Sequence, residues 1–256
     1  GIGDDVFNKD YSDGNYPERI LSITGPIYVG NCEPGDILEV SVKRIELAEE
    51  AKMWMGPWMG VLSQEVTRPY LKKITIQNNE VIFSDKIRFP VRPMIGTLGV
   101  APTEKEIPCL YPGDHGANMD VLTIAEGSKV YLPSQVSGAL LAIGDVHAAM
   151  GEGEVFGTGI EIASQIQLQV KVLKEERIKH PWVETDESYA VIVSNKDMLE
   201  ACRDATRSLI SFLEKRLDLT CEESYALVGA CADLKVCQVV NPMFTVRFEF
   251  PKQLLT

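Results

Sequence analysis

Histidine is scarce in this 256-residue chain, three residues set against 37 Asp and Glu, and basic charge is short as well. With 25 Lys and Arg the formal net charge is −12. Such a chain lacks the clustered basic surface that nucleic acid or an anionic membrane needs for counterion release, so neither is expected as a partner and small neutral substrates stay open. No apolar run approaches the ~18 residues of a membrane span, and the start Gly1-Ile2-Gly3-Asp4-Asp5 has none of the basic-then-apolar character of a secretory signal. A cytoplasmic protein is expected. The six cysteines, at positions 32, 109, 202, 221, 231 and 237, include no Cys-x-x-Cys pair, which sets aside zinc-finger and thioredoxin readings. Cys202 and Cys231 fall on apolar helical faces and read as buried free thiols. Absent too are a Gly-x-Ser-x-Gly elbow, a P-loop, a Gly-x-Gly-x-x-Gly turn opening a helix, and a His-Glu-x-x-His pair. The chain starts with Gly1 instead of Met, so a processed, tagged-and-cut or fragmentary chain is expected.

What is present is mostly strand. Leu38, Val40 and Val42 alternate with Glu39, Ser41 and Lys43, and the runs Ile74–Ile76 and Val81–Phe83 flank Asn78-Asn79, a hairpin dipeptide tolerant of positive φ. From Ile160 to Val172 a period of two places Ile160, Ile162, Ile166, Leu168, Val170 and Val172 on one face and Glu161, Gln165, Gln167, Gln169 and Lys171 on the other. After Pro181 the pattern changes. A strand over 187–193 leads to Ser194, read as the cap of a helix of about twenty residues with apolar positions Met198, Leu199, Cys202, Ala205, Leu209, Phe212, Leu213 and Leu217. Thr220 and Glu223 form a capping box for a second helix running to about Asp233, and Phe244, Val246, Phe248 and Phe250 mark a last strand.

This order predicts a mainly β (α+β) protein: an antiparallel β-sandwich or barrel-like core with a small C-terminal α/β layer containing two helices. A β-rich part, 1–180, is expected to carry the site, with 181–256 packed on it as one continuous unit. The apolar stretch Trp54-Met55-Gly56-Pro57-Trp58-Met59-Gly60 reads as a lid, an oligomer contact or a buried Ω-like loop. Strand edges together with Trp54 and Trp58 suggest a homodimer or higher homo-oligomer.

The chemistry concentrates between Tyr111 and Glu161. There lie Gly113-Asp114-His115-Gly116-Ala117-Asn118-Met119-Asp120, Gly144-Asp145-Val146-His147, Gly151-Glu152-Gly153-Glu154 and Glu161. A catalytic metal takes about three protein ligands and keeps a position open, and His, Asp and Glu supply such ligands. Asp145 and His147 stand at i and i+2, on one face of an extended strand. Glu161 falls on the polar face of the long strand, away from its apolar side, and a glycine loop brings Asp120 and His115 in. Taken singly, each of these is an ordinary turn acceptor, solvated glutamate or structural histidine. Together they read as a metal or polar catalytic centre. His with carboxylates suits zinc, manganese and iron; an all-oxygen set suits calcium or magnesium.

At these residues the sequence resembles the acetamidase/formamidase family, which hydrolyses short amides to carboxylate and ammonia. The resemblance runs through Gly25-Pro26-Ile27-Tyr28-Val29, Glu33-Pro34-Gly35-Asp36, Pro93-Met94-Ile95-Gly96, Gly116-Ala117-Asn118-Met119-Asp120, Gly138-Ala139-Leu140-Leu141, Gly144-Asp145-Val146-His147-Ala148, Gly151-Glu152-Gly153-Glu154, Val228-Gly229-Ala230 and Asn241-Pro242. It departs at Ala117, where the family has a second glycine, at Ser134 (valine), at Met150 (glutamine) and at Glu152 (aspartate). An N-terminal strand segment of the family, with any acidic ligand in it, is expected to be missing from this sequence. The resemblance implies a divalent metal, zinc first with calcium, magnesium or manganese as alternatives, held by Asp120, His147 and Glu161. Asp145 is either a further ligand or the group that orients His147, Glu154 is the general base, and Asn118 or glycine-loop amides hold the oxyanion. A non-catalytic metal-stabilised β protein, or a hydrolase of another C–N bond such as a cyclic amide, are the alternatives; Met150 keeps the latter open.

Overall fold

The computed structural model describes residues 21, 23–57, 59–103, 105–174 and 177–255. Their strands are β1 (Ile23–Ile27), β2 (Ile37–Met55), β3 (Tyr70–Gln77), β4 (Glu80–Ile82), β5 (Arg88–Pro90), β6 (Met94–Gly99) and β7 (Gly116–Asn118). After these come β8 (Lys129–Pro133), β9 (Leu141–His147), β10 (Glu161–Leu173), β11 (Trp182–Glu184) and β12 (Ser188–Asn195). Helices α1 (Met198–Leu217) and α2 (Cys221–Cys231) precede β13 (Asp233–Gln238) and β14 (Phe244–Pro251).

All fourteen strands join one antiparallel sheet that curls into a half-barrel, in the order β13-β14-β12-β11-β8-β2-β10-β9-β6-β7 with β1 on β9 and β3, β4, β5 branching from β2. The spine is β2. It pairs with β10 from Ile37↔Leu173 to Lys52↔Glu161, and its other edge changes partner, β8 along Ile37–Ser41 and β3 along Glu50–Met55. On the core side of the spine its alternating apolar residues Leu38, Val40 and Val42 are buried with Ile95, Leu98, Met119, Val130 and Leu132. Fully burying each such side chain is worth about 1.5–3 kcal/mol before entropy. The Asn78-Asn79 hairpin is present, with φ of 53° and 60° joining Gln77 to Glu80.

The C-terminal layer sets α1 on β12 and β14. Ala201, Ala205, Leu209 and Leu213, spaced by four, form its buried stripe against Val191, Val193, Val246 and Phe250. Three sequence expectations are corrected here. The N-cap of α1 is Asp197, whose Oδ1 accepts from the Leu199 and Glu200 amides; Ser194 is still in β12, with its hydroxyl 2.9 Å from that of Thr245. Leu199 points outward and is 57% exposed. Cys202 and Cys231 are half-buried, and it is Cys32 and Cys237 that are buried among the free thiols. The Thr220/Glu223 capping box of α2 forms as expected, with that helix ending at Cys231. Of the apolar stretch 54–60, Trp54 and Met55 end β2, and Trp58 lies outside the described residues. No helix among the described residues is long and apolar enough to cross a membrane.

Candidate metal centre and active site

Two neighbouring strands supply the middle of the site. β9 ends in Asp145-Val146-His147, β10 begins at Glu161, and the two strands meet at the pair Glu161↔His147. His147 is fully buried, with Nε2 3.1 Å from Glu161 Oε1 and 3.7 Å from Asp145 Oδ1. The polar face of the long strand, expected to point away from the core, therefore meets a buried histidine at its first residue. Beyond it the register with β2 slips between Ile162 and Ser164.

The turn after β7 adds Asp120, fully buried, and the loop after β9 adds Glu154, 6% exposed. Ligand-capable atoms of Asp120, His147 and Glu154 lie within 4.8 Å of one another, as do those of Asp145, His147 and Glu161. His147 is the shared member, and Asp120 and Glu161, expected as co-ligands, fall one in each set. His115 lies in neither: it is buried beside Gly113, its pKa lowered by burial, and the only other described histidine, His180, pairs through Nδ1 with Asp114 Oδ1 at 2.7 Å.

The backbone is unusual at three of these acids. Asp120, Asp145 and Glu154 have φ of 52°, 58° and 45°, the left-handed region, at about 1–3 kcal/mol each and least for Asp. Asp145 and His147 thus converge without the regular extended strand that their spacing suggested. Two glycines make room. A Cβ on Gly96 would lie 2.6 Å from Asp120 Oδ1 and 2.7 Å from Asp145 Oδ2; one on Gly159 would lie 2.5 Å from His147 Nδ1.

Three polar residues support the acids, and the sequence alone did not single them out. Asn241 Nδ2 donates to Asp120 Oδ2 and to the Asn118 carbonyl, both at 3.0 Å. The Thr97 hydroxyl lies 2.6 Å from Asn118 Oδ1 and 3.2 Å from Asp145 Oδ2. With its amide oxygen engaged there, Asn118 presents its amide nitrogen the other way. Gln238, itself buried, accepts from the Val240 and Asn241 amides and so shapes the loop that offers Asn241. Only the Asn241-Pro242 dipeptide, within the stretch of resemblance, was a sequence signal for any of them.

Asp120 Oδ1 and His147 Nδ1 are buried without a hydrogen-bond partner, and His147 Nε2, 3.1 Å from Glu161 Oε1, pairs with that carboxylate without a well-aligned hydrogen bond. Burial, then the charge of Asp145, raises Asp120 to about 7. Burial and Asp120 hold Glu154 well above the carboxylate range, and burial raises Glu161. Burial works against a charged His147, but the charges of Glu161 and Asp145 outweigh it and keep the imidazole well above its ordinary value. So dense a set of carboxylates around one histidine, with Asp120 Oδ1 left unpartnered, fits a divalent cation that would take the place of protons. Asp145, Glu154 and Glu161 open on a cavity of about 1230 Å³ that Asn118, Asn241 and Trp54 also line.

The Acetamidase/Formamidase family model matches residues 105–255, more than half of the chain. A Thermoanaerobacter tengcongensis structure, described as a predicted acetamidase/formamidase, is 40% identical and superposes with a TM-score of 0.89 over 98% of this chain and 85% of that one. The acetamidase of Bacillus halodurans is 37% identical, with a TM-score of 0.88 over 95% and 86%. A Schizosaccharomyces pombe relative is 25% identical over 236 residues, 67% of this chain and 55% of its own, so the chain spans about half the length of that curated relative. By the family match and its likeness to the two structures, the chain belongs to the acetamidase/formamidase family.

Proposed function

We propose that the protein hydrolyses short-chain amides of the formamide and acetamide type to carboxylate and ammonia with the help of a divalent metal ion. The observation that carries this reading is the buried cluster around His147, three of whose acids, Asp145, Glu154 and Glu161, line a cavity. A cluster that opens on a cavity supports an enzyme over a metal-stabilised structural β protein, whose ligands would close the shell. His147 Nε2, Asp120 Oδ1 and Glu161 would hold the ion, zinc before manganese, magnesium or calcium, with Asp145 either completing the set or orienting His147. An ion bound there supplies Lewis acidity, which acidifies water from a pKa of ~16 toward ~7 and polarises an amide carbonyl.

The remaining steps belong to the chain itself. Glu154 takes a proton from the attacking water and delivers it to the leaving nitrogen, so that amide and water become carboxylate and ammonium with the enzyme unchanged. The Asn118 amide nitrogen donates to the oxyanion as it develops. Asn241 occupies Asp120 Oδ2 and thereby leaves Oδ1 as the oxygen turned to the cluster.

One observation favours a second reading. The cavity of about 1230 Å³ exceeds the ~300–1,000 Å³ typical of pockets for much larger ligands than acetamide, which supports a bulkier or cyclic amide as the substrate. Ammonia release from formamide, acetamide and propionamide, before and after chelation and with each divalent metal restored, decides between these. Chelator-sensitive release that is greatest for the smallest amides is expected; no release with any metal overturns the short-amide reading.

A further inference from the structure

Arg247 sits in the middle of β14, 3% exposed, yet its guanidinium reaches out to the loop that carries Glu154. Its two terminal nitrogens grip Glu152 in a fork, Nη1 to Oε2 at 2.8 Å and Nη2 to Oε1, while Nε donates to Glu249 Oε1. Gly153 is held to the same hairpin by its backbone: its amide donates to the Cys237 carbonyl at 3.0 Å and its carbonyl accepts from the Val239 amide at 3.1 Å. Glu154 comes next, in the left-handed region, and its turn closes with Gly157 N donating to Glu154 O at 2.8 Å.

A glutamate on a loop has no intrinsic reason to stay at a φ of 45°. Such a conformation persists only where its surroundings over-determine it. Here the determinants on the N-terminal side are the Gly153 bridge, the hydrogen bond from the Glu154 amide to the Gly151 carbonyl at 3.2 Å and the Arg247 fork, and of these only the fork is made by side chains. Even within the fork the Glu152 side chain keeps 39% exposure, so the fork ties an exposed loop carboxylate to a buried guanidinium. A planar guanidinium can hold both carboxylate oxygens at once; an ammonium cannot.

We infer that Arg247 is a positioning residue: through its fork on Glu152 it fixes the turn that aims the Glu154 carboxylate at the cluster. Its effect on turnover rests on the reading of Glu154 as the group that moves the proton. Removing the fork loosens the turn without touching the residues that hold the ion.

The test has two arms on the intact, metal-loaded protein. Hydrogen–deuterium exchange on Glu152→Gln and Arg247→Lys is expected to quicken across residues 151–157 while α1 and β2 keep their protection and the bound-metal content is unchanged. The second arm is a double-mutant cycle on kcat with Glu152→Gln and Glu154→Gln. Glu152→Gln alone lowers kcat about 10–100-fold, as loss of an orienting partner does, leaves KM nearly unchanged, and adds nothing in the Glu154→Gln background. Glu152→Asp, which keeps the carboxylate, retains most of kcat. Unchanged exchange across 151–157 overturns the inference whatever the kinetics, and so does a fall in kcat that multiplies with that of Glu154→Gln. If the turn loosens but Glu154→Gln keeps its kcat, the positioning stands and the assignment of Glu154 as proton carrier falls.

Discussion

The two ends of this sheet are built on opposite rules. In the C-terminal layer, α1 and α2 cover β12 and β14 with an apolar stripe, the helix ends are capped, and the buried Gln238 amide is partnered at both its oxygen and its nitrogen, with the Ser224 hydroxyl in α2 the exception left without a partner. Around His147, four carboxylates crowd one imidazole, donor atoms go unpaired, and three acids stand in the left-handed region. Stability is concentrated in the first region and spent in the second. What joins them is the β13–β14 hairpin, which sends Asn241 to Asp120 and Arg247 to Glu152.

The largest effect expected at the costly end is that of His147→Ala, which removes the residue common to both groups of ligand-capable atoms. Ammonia release should fall below detection and the purified protein should carry no metal by elemental analysis; retained turnover would sink the assignment. Gly96→Ala comes next, because its Cβ has no space between Asp120 and Asp145. Metal affinity measured by competitive chelation should drop at least the 10–100-fold seen when supporting groups of metal sites are disturbed.

At the stable end, Leu209→Ala should cost about 2–5 kcal/mol in urea unfolding, while folded protein at 25 °C keeps its metal. Loss of metal from still-folded Leu209→Ala would break the contrast between the regions. A smaller effect is pH-dependent. Burial would raise Glu249, but its hydrogen bonds from Lys235 and Arg247 hold it below the ordinary carboxylate range. Its contribution is therefore complete above the unfolded value of ~4.3 and is lost as pH falls through the lowered folded value. Unfolding midpoints of Glu249→Gln should lie under those of the parent at neutral pH and converge with them in acid; a constant gap down to the acid limit would contradict this. Smallest is Gly229→Ala in α2, where a Cβ meets nothing within 4 Å. A gain of up to about 1 kcal/mol is expected from helix propensity alone, read as a rise in melting temperature with unchanged turnover.

Local chemistry was what the sequence displayed. The strand alternations, the Asn78-Asn79 hairpin and the Thr220/Glu223 box depend on neighbours within a few residues, and each is present. The cluster of Asp120, Asp145, His147, Glu154 and Glu161 was visible because its members lie close in the chain. Asn241 and Thr97 were not, since they meet Asp120 and Asn118 across 121 and 21 residues through single hydrogen bonds that leave no periodicity. Ser194, Asn195 and Asp197 are all capping types, and only the extension of β12 to Asn195 decides among them. The half-buried state of Cys202 depends on how α1 is rotated on the sheet, a property of packing and not of spacing.

The left-handed acids also limit which descendants of this protein can exist. At a φ near 50° the inexpensive residues are glycine, asparagine and aspartate, so backbone geometry filters substitutions at positions 120, 145 and 154 before chemistry does. Glu154 is outside that set. A saturation library at position 154, sorted for folded protein, should be enriched in Gly, Asn and Asp; sorted for activity it should return to Glu. The space between those two lists measures how far selection for turnover has drawn this site from what the chain would choose for itself.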